Sequence, residues 1–311
     1  MPESVSAVIP CFNSQEWIEE AVDSALSQTH PLSEVVCVDD GSTDDTLALL
    51  EALKQRDDRV RVLAQSNSGA PAARNAGLSV VTSTWVQFLD ADDVLAPEKV
   101  EHQLGIAREA GRPLDIIAGS YFSRSQDDQL ERIDVAVGDP WLGLLTFRFG
   151  ITSSMLWRAD AVREAGGWAE GWKSSQEMEL AGRMLAAGKR AVMDDRPLVT
   201  VRDRPRSVKS AEGAWHRALS LRIDLIETAR EDLSAQDRSE VLRVLFGSLR
   251  KFYVEHPAEA VELHDRLFGR SYEPQADDLS GPMYCKLYEI LGFRRTERLR
   301  AIAGRMKPRK K

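Results

Sequence analysis

Trp85-Val-Gln-Phe-Leu-Asp-Ala-Asp-Asp93 is an apolar run that stops on three carboxylates. Such a segment reads as a short buried strand whose end emerges into a polar turn. The same pattern recurs upstream. Ser4–Ile9 reads as a strand ending at Pro10-Cys-Phe-Asn13, Val35–Val38 runs into Asp39-Asp-Gly-Ser42, and Val60–Ala64 is followed by Asn67-Ser-Gly-Ala70. Helical periods fill the intervals. Asn13, with Glu16 three residues on, forms a capping-box signal ahead of an apolar face at Trp17, Ile18, Ala21, Val22, Ala25 and Leu26. Ser42-Thr-Asp-Asp45 caps the next helix, with Leu47, Leu50 and Leu53 turned inward. Pro71 belongs in the first turn of a short helix through Leu78, and Pro97 starts another with Val100, Leu104 and Ala107 on one face. Strands and helices alternating at this pitch predict βαβ units and an α/β fold with a doubly wound, mostly parallel sheet.

Beyond Leu114 the rhythm loosens. Leu114–Gly119 and Ile151–Trp157 are expected strands, separated by the acidic stretch Gln126–Asp139. Gln176–Ala187 is an expected helix, and Lys189–Met193 and Leu198–Arg202 are expected short strands. Past about Arg206 no strand is expected. Residues 212–268 read as two helices, the second carrying Leu242, Leu245, Leu249 and Phe252 on one stripe. Periodicity breaks near 205–212, dividing the chain into a domain over 1–207 and a helical extension over 208–311.

The 311 residues are 43% apolar and 29% charged, as in ordinary globular proteins, which excludes disordered and collagen-like classes. No apolar run reaches the roughly 20 residues needed to span a bilayer. The net charge of −8 argues against a general nucleic-acid binder. It is unevenly distributed: residues 286–311 carry +8 and the preceding chain −16. Cys11, Cys37 and Cys285 are too few for a disulfide framework, and the first residues lack a basic stretch followed by an apolar one. A reducing, cytoplasmic setting without a signal peptide is therefore expected.

In an open parallel sheet, ligands bind beyond the carboxyl ends of the strands, where the polar blocks of this chain fall. No glycine-rich dinucleotide fingerprint follows the first strand, and no phosphate loop ending in Gly-Lys-Ser/Thr occurs. Asp90 and Asp92, at i and i+2 after a buried strand, instead suit a hard divalent cation that bridges phosphate oxygens.

Together the blocks carry a resemblance. Pro10-Cys-Phe-Asn13, Val38-Asp-Asp-Gly-Ser-Thr-Asp44, Asn67-Ser-Gly69 leading to Ala73-Arg-Asn-Ala-Gly77, Phe88-Leu-Asp-Ala-Asp-Asp93 and Gly166-Gly-Trp-Ala-Glu170 resemble, in order and spacing, the family 2 glycosyltransferases of the GT-A fold. The resemblance covers roughly residues 4–207. It implies a nucleotide-sugar donor, a UDP-sugar by preference, and an acceptor that is a saccharide or lipid-linked glycan. It assigns Pro10, Phe12, Asn13 and Asp40 to the nucleotide base, where a carboxylate accepts from the uracil imide N–H. Asn67 and Gly69 shape the loop beneath the donor, and Arg74 points toward the nucleotide. Asp90 contacts ribose or metal, Asp92 is the main ligand of Mn²⁺ or Mg²⁺, and Asp93 supports them. Trp168 resembles an acceptor-side residue whose ring stacks on sugar.

The family's base helix typically opens with a Glu-Asp pair. Here Ser175-Gln-Glu-Met-Glu-Leu180 puts Gln176 at the Glu position and Glu177 at the Asp position. Glu177 is thus the expected general base of a single inverting displacement, with Glu179 as the acceptor-side alternative. A second departure is Arg202-Asp-Arg-Pro-Arg-Ser207, which puts Arg204 where the family often has a His near the metal. Arg cannot ligate a cation but can pair with a diphosphate. These two departures keep open a nucleotide-sugar-binding protein without turnover. A sugar-1-phosphate nucleotidyltransferase would need a glycine-rich, Arg-containing loop after the first strand, which Pro10-Cys-Phe-Asn-Ser-Gln15 is not. The basic tail, preceded by Tyr284, Leu287, Tyr288, Leu291 and Phe293 as an apolar stripe, admits a peripheral contact with the inner face of a membrane or a solvated end.

Overall fold

A computed structural model describes residues 3–203, 213–229, 232–269, 272–276 and 280–305. The chain divides into two compact units, Met1–Ala211 and Glu212–Lys311.

The first unit opens with strand β1 (Val5–Cys11), helix α1 (Ile18–Leu26), β2 (Glu34–Asp39), α2 (Thr46–Arg56), β3 (Val60–Ala64), α3 (Ala70–Val80), β4 (Trp85–Phe88), β5 (Val94–Leu95) and α4 (Lys99–Glu109). It continues with β6 (Ile116–Gly119), β7 (Tyr121–Arg124), β8 (Leu130–Ile133), α5 (Pro140–Leu145), β9 (Met155–Arg158), α6 (Ala159–Glu164), α7 (Gln176–Ala186), β10 (Ala191–Asp194) and β11 (Val199–Arg202). Seven strands form one sheet in the order β10-β6-β9-β4-β1-β2-β3, in which β9 alone runs antiparallel to its neighbours. β1 pairs with β2 and β4 in parallel, and the register Cys11↔Asp39 and Asp39↔Ala64 brings successive strand ends to one edge. That edge gathers the polar blocks because every crossover between these strands is a helix. Buried strand residues such as Ile9, Val36, Phe88 and Ile117 leave both faces of the sheet covered. The approach of α3 is close: a Cβ at Gly77 would lie 2.4 Å from Val8 Cγ1.

A second sheet of four strands, β5-β11-β7-β8, contains the expected strand at Leu198–Arg202 as β11, while β5, β7 and β8 lie outside the expected pattern. Its strands are two to four residues long, too short for a period-2 signal, and β7–β8 folds back within the acidic stretch through Asp128 at φ 59°. The expected strand Ile151–Trp157 begins instead as a 3-10 turn over Thr152–Ser154, held by Ser154 Oγ, which accepts from Ile151 N at 3.0 Å. Neither upstream cap forms as expected. Asn13 sits at φ 48° and accepts from Thr43 N at 2.9 Å, while its own N–H donates to Ser42 Oγ at 3.1 Å. These side chains tie two strand-end loops together, and α1 starts on backbone bonds to the Ser14 carbonyl. Within Ser42–Asp45 it is Asp44 that accepts from Thr46 N at 3.0 Å at the start of α2, while Ser42 bonds Asn13, and Leu47 is exposed rather than inward.

The second unit comprises α8 (Ala214–Thr228), α9 (Ala235–Phe252), α10 (Pro257–Phe268) and α11 (Pro282–Arg305), the last broken at Gly292, where φ is 72° and ψ 172°. Three helices, not two, span 212–268. Ser234 caps α9 by accepting from Asp237 N at 3.1 Å, and Pro257 starts α10 in its first turn. Phe246 is the hub of the core, with ring centroids of Tyr272, Tyr288, Phe268 and Phe293 at 5.1, 5.5, 5.7 and 5.9 Å. Tyr288 and Phe293 are thus buried interior residues, and the stripe that seemed available for an outside contact is packed within the unit. Among the described residues no helix is long and apolar enough to cross a membrane.

Candidate active site

Asp40, at the end of β2, is buried and accepts three hydrogen bonds from the loop after β3. Its Oδ1 takes Gln65 Nε2 at 2.7 Å and Ser68 N at 2.8 Å, and its Oδ2 takes Gly69 N at 2.8 Å. A carboxylate in this position fixes the loop that bears Asn67 and Gly69 and leaves acceptor capacity mainly on Oδ2. Gly41, at φ 74°, lets the loops meet: a Cβ there would lie 2.9 Å from Asn67 N. Neighbouring Asp39 accepts from Ser42 N at 3.3 Å through Oδ2, while its Oδ1 is buried without a partner. Phe12 is half exposed at the mouth of the same edge, beside Pro10 and Asn13.

The acid turn after β4 is held from behind. Ser153 Oγ accepts from Asp90 N at 3.1 Å and donates to Asp93 Oδ2 at 2.6 Å. Gln87, fully buried in β4, donates to the Ser153 carbonyl at 2.9 Å and accepts from the Lys99 ammonium. Lys99 also donates to the Met155 carbonyl at 3.2 Å, and complete burial pushes its pKa well below the usual lysine range. Arg202 on β11 donates to the Asp92 carbonyl at 2.7 Å. The turn is therefore pinned at Asp90 and Asp93 by Ser153 and at Asp92 by Arg202, with Gln87 bracing Ser153 from behind.

Arg74 on α3 is nearly buried and joins distant parts of the chain. Nη2 donates to Asp90 Oδ1 at 2.6 Å, Nη1 donates to Gln176 Oε1 at 2.8 Å, and the guanidinium lies 4.5 Å from the Trp168 ring centroid. Gln176 is the first residue of α7, its Nε2 donating to the Trp172 carbonyl at 2.9 Å. Arg74 thereby sets the start of the helix that carries Glu177 against the acid turn. Tyr121, the first residue of β7, completes this group: its phenol is pushed up to about 12, first by burial and then by the nearby charges of Glu177, Asp93 and Glu131.

Two acceptor-side expectations are corrected. Trp168 is 2% exposed, with Phe88 edge-on at 5.0 Å, Trp157 at 6.0 Å and Arg74 over its face, so its ring has no surface for a sugar. The apolar residues around Gly166 and Gly167 draw it inward, and Asn75 fastens the loop by accepting from Trp168 N at 2.8 Å. Glu179 is committed to Arg183, which donates at 2.6 and 2.8 Å to its two carboxylate oxygens. Arg204 lies outside the described residues.

Among the described residues no group of three or more His, Cys, Asp or Glu side chains is arranged to hold a metal ion. Asp90 and Asp92 nonetheless supply two hard oxygen donors on one turn, the Asp90 carboxylate being 38% exposed. That set fits a cation that takes its other ligands from water and a diphosphate. The sequence reading missed Tyr121, Ser153, Gln87 and Lys99. A glutamine inside the buried run Trp85–Leu89 was the available signal, since a buried amide requires partners.

The sequence model described as Glycosyl transferase family 2 matches residues 6–154. Among curated relatives, glycosyltransferase GlyG of Streptococcus pneumoniae serotype 4 is 34% identical over 129 residues, covering 41% of this chain and 42% of that one. The putative teichuronic acid biosynthesis glycosyltransferase TuaG of Bacillus subtilis is 36% identical over 143 residues, 41% of this chain and 57% of that one. The matches thus span about half the length of these relatives. Among solved structures, S. aureus TarS 1–349 in complex with UDP-GlcNAc superposes with a TM-score of 0.68 at 16% identity, covering 96% of this chain and 92% of that one. At that identity the likeness concerns the fold.

Proposed function

The chain belongs, through residues 6–154, to glycosyl transferase family 2, and on that premise we propose that it transfers a sugar from a UDP-sugar to a saccharide or lipid-linked acceptor with inversion. The observation that carries this reading is Arg74, which ties Asp90 of the acid turn to Gln176 at the head of the Glu177 helix, 102 residues beyond Arg74 itself. A donor site and a base on separate chain segments are held in one frame, as a displacement between two bound substrates requires.

In this reading the β1 and β2 ends, with Pro10, Phe12, Asn13 and Asp40, receive the uracil, and Asn67 and Gly69 floor the donor site. Asp92 and Asp90 hold Mn²⁺ or Mg²⁺, which would neutralise charge on the departing diphosphate. Arg74 orients Asp90 and Gln176. Glu177 takes the proton from the acceptor hydroxyl as that oxygen attacks the anomeric carbon, and the Tyr121 phenol near it stays protonated throughout the neutral range. Arg204 is assigned to the diphosphate.

The test is a panel of UDP-, GDP- and dTDP-sugars, headed by the UDP-GlcNAc found in TarS, with and without Mn²⁺ and with saccharide and lipid-linked acceptors. Thermal stabilisation ranks donors by mass action, and anomer-resolved product analysis reads transfer and inversion. Transfer from a UDP-sugar that Mn²⁺ accelerates is expected. Donor binding without transfer to any acceptor would replace the proposal with a nucleotide-sugar-binding role.

A further inference from the structure

The residues of α11 that pack inside the helical unit leave other positions outward on both sides of the break at Gly292. Met283 and Ile290 are each 77% exposed, Leu299 47% and Ile302 50%. Lys286, Arg294, Arg295 and Arg298 are exposed among them, with Glu289 as the one exposed acid over 283–302. The spacing gives each half of the helix one face. Met283, Lys286 and Ile290 fall at i, i+3 and i+7 before the break at Gly292, and Arg295, Leu299 and Ile302 at i, i+4 and i+7 after it. The inward side is fully occupied: Tyr288 and Phe293 pack on Phe246, and buried Glu297 accepts from Arg250 Nε at 2.9 Å and Arg300 Nε at 2.7 Å. The exposed side chains are therefore not core residues caught outward by a loose fit.

We propose that the outward faces of the two halves of α11 dock on an anionic lipid bilayer, with Met283, Ile290, Leu299 and Ile302 entering the headgroup boundary and Lys286, Arg294, Arg295 and Arg298 pairing with lipid phosphates. Large aliphatic side chains interleaved with cations match an interface that is apolar beneath and negative at its surface. A nucleic-acid backbone would engage the cations and leave four aliphatic side chains in water. The same face on a second copy would set like charges together. Residues 286–311 carry +8 against −16 for the preceding chain, so an anionic surface attracts this segment and repels the rest, which orients the attachment. The proposal stands apart from sugar transfer and needs no donor.

The test is co-sedimentation of the full chain with vesicles of phosphatidylcholine alone and with about one-third phosphatidylglycerol. Partitioning at least about tenfold stronger onto the anionic vesicles, weakened in high salt, is expected. Arg294→Glu/Arg295→Glu/Arg298→Glu removes the preference for anionic lipid, and Ile290→Glu/Ile302→Glu lowers binding about tenfold, both with wild-type helicity by circular dichroism. Equal partitioning onto both compositions, none onto either, or wild-type binding by both folded variants would overturn the proposal. Retention on heparin without vesicle binding would assign the face to a polyanion and overturn it as well. Donor-induced thermal stabilisation, read in parallel, is unchanged in these variants and separates this outcome from that of the transferase reading.

Discussion

The two units bury polar groups in different ways. In the first, Asp39, Asp40, Arg74, Gln87, Asp92, Asp93, Lys99 and Ser153 are all buried, and most lie on or behind one sheet edge. Their bonds run between loops far apart in sequence, and one acceptor, Asp39 Oδ1, has no partner. Among the described residues of the second unit, the buried carboxylate of Glu297 is closed between Arg250 and Arg300, and Arg250 also covers the Tyr284 ring at 3.7 Å. A closed pair holds helices together. An open, cross-linked edge, costly to bury, is kept where it positions chemistry. The contrast agrees with the donor site proposed in the first unit and the docking surface proposed on the second.

Variants that break this contrast should rank accordingly. Glu177→Gln removes the proposed base while keeping the shape of α7, and kcat should fall about 10²–10⁴-fold with donor affinity retained, as steady-state kinetics with separate donor titrations would show. Arg74→Lys keeps the charge but cannot reach Asp90 and Gln176 together. The loss of charge-assisted bonds worth about 1.5–3 kcal/mol should appear in both kcat and donor KM. Gly77→Ala sets a Cβ 2.4 Å from a β-branched side chain on the central strand. Overpacking of this kind should cost about 1–3 kcal/mol in denaturant unfolding while leaving the helical unit's own core untouched.

The smallest effect belongs to the second unit. His264 is bonded to the Tyr288 hydroxyl at 2.9 Å and stacked on Phe293 at 4.2 Å, and burial lowers its pKa. Below the ordinary histidine pKa of about 6.5 the unfolded chain takes up a proton that the folded one resists. Stability from this group is therefore present at neutral pH and lost as pH falls below about 6.5. Melting curves between pH 7.5 and 5 should show the slope, and His264→Gln should flatten it.

Much of the first unit was legible in the sequence because its apolar strand runs end on polar blocks, two of them carboxylates. β1 to β4 and the helices between them follow from that pattern. β5, β7 and β8 were not legible, since strands of two to four residues with mixed burial have no period. The site divides similarly. Asp40, Asp90, Asp92 and Glu177 stand out because acids at strand and helix ends are visible as motifs. Trp168 misled, because an aromatic beside two glycines reads equally as a sugar platform or a core ring, and only packing decides. Ser153 and Lys99 act through atoms that meet in space from separate elements, which no local pattern encodes. On α11 the aromatic residues were visible, but which side of the helix they face depends on the core around Phe246.

The central claim is that the strand-end edge holds a uridine diphosphate through Asp92 and its neighbours. Calorimetric titration of the full chain with UDP in Mn²⁺, repeated with Asp92→Ala, tests it most directly. One saturable site in the wild type, weakened at least about tenfold by the substitution or by removing Mn²⁺, is the predicted result. No saturable UDP binding by the wild type, or equal affinity in the variant, would contradict it.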